Sequence, residues 1–391
     1  MSVAVTTGDE PGRPPDPPGP GLPGPSVADL VAAAATRQGP LRFDAVMDLA
    51  LYHPRAGFYA TAGGPGGSGR RGDFLTGPEV GPLFGAVLAR ALDAWWEERG
   101  RPDPYLVAEA GAGPGTLAAA VAAAEPRCGP ALRYLLVDRV ARWRGVQARA
   151  LALEAGRDVA GGPPGRGPVF ASTADLPSGE GLAVVVANEL LDNLRFRVLA
   201  RGRGGGWDEV FVDRDGGELL VPTDPAAAAW ARGAAPDAEP GARVPRQEGA
   251  TDWLRSTLAG LDRGGRVVVL DYADTTAGMA ARPWREWLRT YRGHGRGGEP
   301  LDDLGAQDLT APVALDQLTR VAEPAGESTQ AQFLAGHGLT ELEAEARTAW
   351  TRGAAAGDLP ALRARSRLGE ARALVDPAGL GAFRVLEWIR R

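Results

Sequence analysis

Residues 105–116 constrain the fold of this chain more than any other stretch. The apolar run Tyr105-Leu106-Val107-Ala108 leads into an acid, Glu109. Glycines follow at alternate positions, Gly111, Gly113 and Gly115, and a run of small residues begins at Thr116. The pattern reads as strand, tight turn and helix. Glycine tolerates the backbone angles of such a turn and lets a ligand come close to the main chain. The following helix N-terminus offers unpaired N–H groups to an anion. The spacing also excludes a reading. A dinucleotide fingerprint, G-x-G-x-x-G, needs glycine at position 116, and Thr116 stands there. A nucleotide-dependent oxidoreductase is therefore disfavoured.

The rest of the chain extends this unit. Strands are expected at residues 105–109, 133–138, 169–171, 183–187 and 266–271, separated by helical stretches. Alternation of this kind predicts an α/β fold, a mostly parallel sheet with helices on both faces. The terminal segment 381–389 predicts a final edge strand. Two insertions are expected, at about 195–250 and 275–330. In the first, residues 195–199 and 209–212 read as strands, 222–245 as a loop and 251–261 as a helix. Residues 26–104 read as a helical N-terminal and lid segment. Val27, Leu30 and Val31, then Phe43, Val46 and Leu49, recur at helical spacing. Asp44 is placed to cap the second helix. Residues 52–59 read as a turn, 63–72 as a glycine-rich loop and 82–99 as a helix. Thr76-x-x-Glu79 has the form of a capping box.

Composition narrows the function. The chain has 391 residues and a formal charge of −6. All 43 of its basic residues are arginine. Without lysine, Schiff-base catalysis and P-loop phosphate binding are excluded. One cysteine, Cys128, and three scattered histidines (His53, His294, His337) offer no metal-ligand spacing. No metal is expected. No dense basic run suggests nucleic-acid binding. No apolar run is long enough to span a bilayer. The first 25 residues are dominated by Pro and Gly and read as a disordered tail, with neither signal-peptide nor transit-peptide features. A cytoplasmic location is expected.

Two further clusters sit at expected strand ends. Asp138 closes the second strand, where an acid suits two ribose hydroxyls. Asn188-Glu189-Leu190-Leu191-Asp192 follows the strand at 183–187, and these three polar side chains could orient a nucleophile and accept its proton. Asn188 could instead cap a following helix.

The G-x-G-x-G form preceded by an acid resembles motif I of class I S-adenosylmethionine (SAM) methyltransferases. More of the chain resembles one family, the MidA-like (DUF185) methyltransferases, whose mitochondrial member is a complex I assembly-factor arginine methyltransferase. The matching segments are Leu51-Tyr-His-Pro-x-x-Gly-Phe-Tyr59, Gly72-Asp-Phe-Leu-Thr-Gly-Pro-Glu79 with Phe84-Gly85, Glu109-Ala-Gly-Ala-Gly-Pro-Gly-Thr-Leu117 and Asn188-Glu-Leu-Leu-Asp192. Leu270-Asp-Tyr272, Asp308-Leu-Thr-Ala-Pro-Val313, Thr329-Gln-x-x-Phe333 and the end from Val375 recur as well. The resemblance runs from about Phe43 to the C-terminus and implies a class I, Rossmann-like methyltransferase fold.

The resemblance implies SAM as cofactor. Gly111, Gly113 and Gly115 would cradle it, Glu109 would meet its ammonium and Asp138 its ribose. Thr76 and Glu79, in the lid segment 72–79, would close over cofactor or substrate. The implied acceptor is an arginine nitrogen of a partner protein. A guanidinium has an unperturbed pKa above about 12, so a carboxylate must take its proton as attack develops. Glu189 and Asp192 are the candidates for holding the guanidinium, and Glu189 is favoured because it lies nearer the strand end. The family has Asp-Ala-Leu-Pro where this chain has Asp192-Asn-Leu-Arg195. That departure leaves open a SAM-binding assembly or scaffold factor without turnover, and a small-molecule methyltransferase. The insertions could serve a homodimer or a substrate.

Overall fold

Eight strands alternate with helices to build the central sheet. They are β1 (Tyr105–Ala110), β2 (Leu132–Val137), β3 (Leu153–Glu154), β4 (Val169–Thr173), β5 (Leu182–Asn188), β6 (Leu261–Asp271), β7 (Gly326–Thr329) and β8 (Arg384–Ile389). Their order is β3-β4-β2-β1-β5-β6-β8-β7. The pairs among β1 to β6 are parallel. β8 runs antiparallel to both its neighbours. The computed structural model describes residues 24–61, 76–155, 159, 162–177, 181–292, 295–355 and 357–391. Most of the Pro/Gly-rich tail, the loop 63–72, the first four residues of the segment 72–79 and His294 lie outside the described residues.

The helices that matter most for the site are α1 (Val27–Gln38), α2 (Phe43–Tyr52), α3 (Gly77–Val80), α4 (Leu83–Glu98), α5 (Thr116–Ala123) and α6 (Ala141–Ala150). Along β1 the side chains alternate between two cores. Tyr105 and Val107 enter one, while Leu106, Ala108 and Ala110 enter the other. Both faces are apolar, as parallel strands covered on both sides require. α4, α5 and the helices Gln330–Gly336, Leu339–Gly353 and Leu359–Leu374 cover the first face. Helices Glu248–Gly260 and Leu315–Val321 cover the second. The small residues of α5 let α4 approach closely. A Cβ on Gly85 would stand 2.3 Å from the Cβ of Ala120.

A second sheet holds Leu41–Arg42, Arg197–Arg201, Trp207–Val212, Glu218–Pro222 and Arg243–Arg246. α1 and α2 pack on it, and on residues 279–314, around Phe43, Val46, Met47, Phe196 and Trp287. The first N-terminal helices thus join the insertions, not the central sheet.

Three expectations change. Residues 222–245 are not a loop. Asp224 caps a helix, Pro225–Ala234, by accepting from the Ala227 N–H at 2.8 Å. Its buried stripe is only alanines (Ala227, Ala231, Ala234), too small to stand out as a periodic signal. Arg243–Arg246 then pairs with the strand at 197–201. β8 is not the edge, because the polar Gly-Glu-Ser-Thr of β7 pairs outside it. Asp44 does not cap α2. It lies in the first turn, buried, with its carboxylate 3.2 Å from the Arg42 guanidinium.

Candidate active site

The parallel strands end along one edge of the sheet, and chain order reverses between β1 and β5. Such a reversal opens a crevice beyond the strand ends. A cavity of about 900 Å³ fills it, large enough for a nucleoside-sized ligand. Glu109, Gly111, Gly113, Asp138, Thr76, Glu79, Asn188, Glu189 and Asp192 all line it. Gly115 stands behind the wall as the N-cap of α5, and a Cβ there would lie 3.0 Å from Leu136 Cδ2.

The glycine turn is held from both sides. Gly111, Gly113 and Gly115 have φ of +71°, +50° and +84°, angles that glycine adopts cheaply. The Gly113 N–H donates to Asp138 Oδ2 at 2.9 Å, and its carbonyl accepts from Gln147 Nε2 at 2.7 Å. Gln147 Oε1 in turn accepts from Ser172 Oγ at 2.5 Å. The other Asp138 oxygen accepts from the Val140 N–H at 2.8 Å. Burial raises the Asp138 pKa from its ordinary value, while these bonds oppose it by favouring the ionised form. Glu109 is 5% exposed and accepts from the Tyr134 hydroxyl at 2.9 Å. Burial pushes its pKa up to about 8. A neutral acid in an apolar cleft ionises readily when a cation arrives.

The other end gathers carboxylates. Glu189 is a non-glycine residue with φ +51° directly after β5. Such backbone persists only where its surroundings enforce it, and the Glu189 N–H donates to the Leu270 carbonyl at 2.8 Å. Its Oε1 accepts from the Gly77 N–H at 3.1 Å and from Asn188 Nδ2 at 3.0 Å. Glu189 therefore ties α3 to the end of β5. Within that turn the Thr76 N–H donates to Glu79 Oε2 at 3.2 Å. Asn188 caps no α-helix; a single 3-10 turn, Leu191–Asn193, follows.

Asp192 Oδ2 accepts from the Thr310 hydroxyl at 2.6 Å. The Thr310 oxygen lies 2.6 Å from the Tyr272 hydroxyl. A threonine that donates to a carboxylate must accept here, so Tyr272 is the donor. Among the described residues, Asp192 Oδ1 and Asn188 Oδ1 are buried without a hydrogen-bond partner. Burial pushes Asp192 up to about 7 and Glu189 up to about 8. Asp271 ends β6 beneath them and accepts from the Leu191 and Asp192 N–H groups at 3.0 and 3.3 Å. Burial and the charges of Asp192 and Glu189 raise its pKa well above the carboxylate range. Asp308 accepts from the Tyr59 hydroxyl and from Asn193 Nδ2, both at 3.0 Å. Tyr52 stacks on Tyr59, with centroids 5.5 Å apart.

Sequence reasoning assigned no role to Gln147, Ser172, Thr310 or Asp308. The last two lie in the recurring Asp308-Leu-Thr-Ala-Pro-Val313 segment, which was a usable signal. Gln147 and Ser172 carried none. No His/Cys/Asp/Glu group among the described residues could hold a metal ion.

Residues 87–333 match the model of a family of S-adenosyl-L-methionine-dependent methyltransferases, Methyltransf_28. The protein arginine methyltransferase NDUFAF7 of Xenopus tropicalis is 26% identical over 325 residues, 77% of this chain and 73% of that protein. The Mus musculus protein of the same name is 28% identical over 319 residues, 73% and 67% of the two chains. The Drosophila melanogaster homolog is 36% identical over 93 residues, only 24% of this chain and 21% of that protein. A COG1565 superfamily member from Burkholderia thailandensis, solved with S-adenosyl-homocysteine bound, superposes with a TM-score of 0.74. It is 29% identical and covers 93% of this chain and 91% of its own. The fold is thus the Rossmann-like class I methyltransferase fold, and the cofactor is S-adenosyl-L-methionine. This chain belongs to the MidA-like (DUF185) family of SAM-dependent methyltransferases.

Proposed function

We propose that the methyl acceptor is a guanidinium nitrogen of an arginine in a partner protein. The observation that carries this reading is the set of acceptor oxygens at the end of β5. Asn188 Oδ1 and Asp192 Oδ1 are buried without partners, beside the carboxyl groups of Glu189 and Asp308. Leaving such atoms unpaired costs about 1–3 kcal/mol each, so the site is built to receive hydrogen-bond donors. A guanidinium is planar, cationic and all donor. The names of the curated vertebrate relatives support the same acceptor.

The residues present fit SAM at the other end. The α5 N-terminus faces an anionic group, Glu109 an ammonium and Asp138 the ribose hydroxyls. Thr76 and Glu79 close the cavity from α3. Bound there, SAM supplies a methyl group on a sulfonium sulfur. Glu189 holds the acceptor in line with that methyl, and Asp192 takes its proton. Asp192 suits the second role because its pKa, about 7, is near neutral and one of its oxygens is unpaired.

The test is mass spectrometry of cell extract incubated with isotope-labelled SAM and this protein. Label on protein arginine is expected, and Glu189→Gln and Asp192→Asn should each reduce it. Label only on small molecules would replace the acceptor. SAM binding with no labelled product would favour an assembly factor without turnover.

A further inference from the structure

The strand Glu218–Pro222 is the outer strand of the second sheet, and all five of its residues are exposed. Three consecutive apolar residues lie on it: Leu219, Leu220 and Val221, 38%, 51% and 37% exposed. An open apolar edge is a template for pairing with another strand. We propose that this strand pairs antiparallel with its own copy in a second chain, giving a two-fold dimer.

The phase of the ladder decides which groups face outward. The Asp213 N–H donates to the Gly217 carbonyl, and the Thr223 N–H donates to the Trp207 carbonyl. In an antiparallel pair, hydrogen-bonded residues alternate with non-bonded ones. With the observed register, Leu219 and Val221 therefore bond inward to Phe211 and Glu209. Glu218, Leu220 and Pro222 turn their backbone groups outward. A two-fold axis at Leu220 then lets the Leu220 N–H donate to the carbonyl of Leu220 of the partner subunit, and the reverse. The Glu218 N–H donates to the carbonyl of Pro222 of the partner subunit, and the reverse.

Side chains suit the same register. Leu219 faces Val221 of the partner subunit and Leu220 faces its own copy, so apolar meets apolar on both faces of the joined sheet. Glu218 carries the one charge on the strand. It does not face its copy, and it already accepts from both Arg243 terminal nitrogens at 2.5 and 2.7 Å. Pro222 has no N–H to offer outward and ends the ladder. The pairing is therefore short, self-complementary and closed, the form expected of an isologous dimer and not of a fibre. A substrate segment would need no such symmetry.

Sedimentation equilibrium of the full chain tests this. A reversible dimer with Kd on the order of micromolar is expected for a small interface. Leu220→Lys should give a monomer at the same concentrations, with an unchanged thermal shift on adding SAM. In a second arm, Leu220→Cys is oxidised with diamide, which takes the two electrons and two protons as the S–S bond forms. Paired residues in such a ladder have Cα atoms about 5.5 Å apart, within disulfide range. Cys128 is buried, so a disulfide-linked dimer reports position 220. The control, Leu359→Cys at a 69% exposed site on the helix Leu359–Leu374, should not cross-link. A wild-type monomer at about 100 times that Kd, a dimer indifferent to Leu220→Lys, or equal cross-linking of the control would each overturn the proposal.

Discussion

Replacing Glu109 with glutamine should stabilise the ligand-free protein at neutral pH and remove much of the pH dependence of its stability. Burial raises the folded pKa from 4.5 to about 8. Between those values the folded state keeps a proton that the unfolded state has lost. Stability is thus greatest below about pH 4.5 and falls as pH rises toward 8. Each pKa unit is worth about 1.4 kcal/mol. At pH 7 the burden is on the order of 3 kcal/mol, and at pH 5 it is under about 1. Glutamine still accepts from the Tyr134 hydroxyl and carries no charge. An unfolding entropy of about 2.1 cal/mol/K per residue over 391 residues turns about 3 kcal/mol into a rise in Tm of roughly 4 °C at pH 7. SAM should reverse the ranking. On the proposed assignment its ammonium pairs with the Glu109 carboxylate, and losing that charge-assisted bond should weaken binding roughly 10- to 100-fold. Calorimetric melts from pH 5 to 8.5, with and without SAM, measure both effects. A Tm difference between the two proteins that does not grow with pH would refute the buried-acid reasoning. Unchanged SAM affinity in the variant would remove Glu109 from the ammonium site.

Three other outcomes follow from single contacts. Gly115→Val places a β-branched residue at φ +84° with its Cβ 3.0 Å from Leu136 Cδ2. αL strain should cost roughly 1–3 kcal/mol of stability, read as a lower Tm, and SAM affinity by isothermal titration should fall as the turn is displaced. Gln147→Leu leaves the Gly113 carbonyl without its 2.7 Å donor. A Tm loss worth about 1–3 kcal/mol is expected, together with weaker SAM binding. Thr310→Val removes the hydroxyl that favours ionised Asp192. The Asp192 pKa should rise from about 7, moving the acid limb of the methyl-transfer pH profile upward. Methylated product measured from pH 6 to 9 should then be depressed at pH 7 and recovered at pH 9.

The glycine-turn end of the crevice was legible because its signals are local. A strand that alternates between two apolar cores, glycines at positive φ and an acid at a strand end are each written within a few neighbouring residues. Pairing of β8 with β7 was not legible, since Gly-Glu-Ser-Thr has no apolar period and is a strand only because an open edge lies beside it. The helix at Pro225–Ala234 was hidden for a related reason: its buried stripe is alanine.

By itself, then, the sequence determined the α/β alternation, the turn at Gly111 to Gly115, and the presence of Glu109, Asp138 and the Asn188-to-Asp192 cluster at strand ends. Tertiary structure decided what those groups can do. Thr310 reaches Asp192 across 118 residues of chain, and Glu189 meets Gly77 across 112. Only packing sets which carboxylates are dry, which oxygens lack partners and which strand edge stays open. A proton affinity or a docking edge depends on distance and burial in space, and neither quantity is carried by any local run of residues.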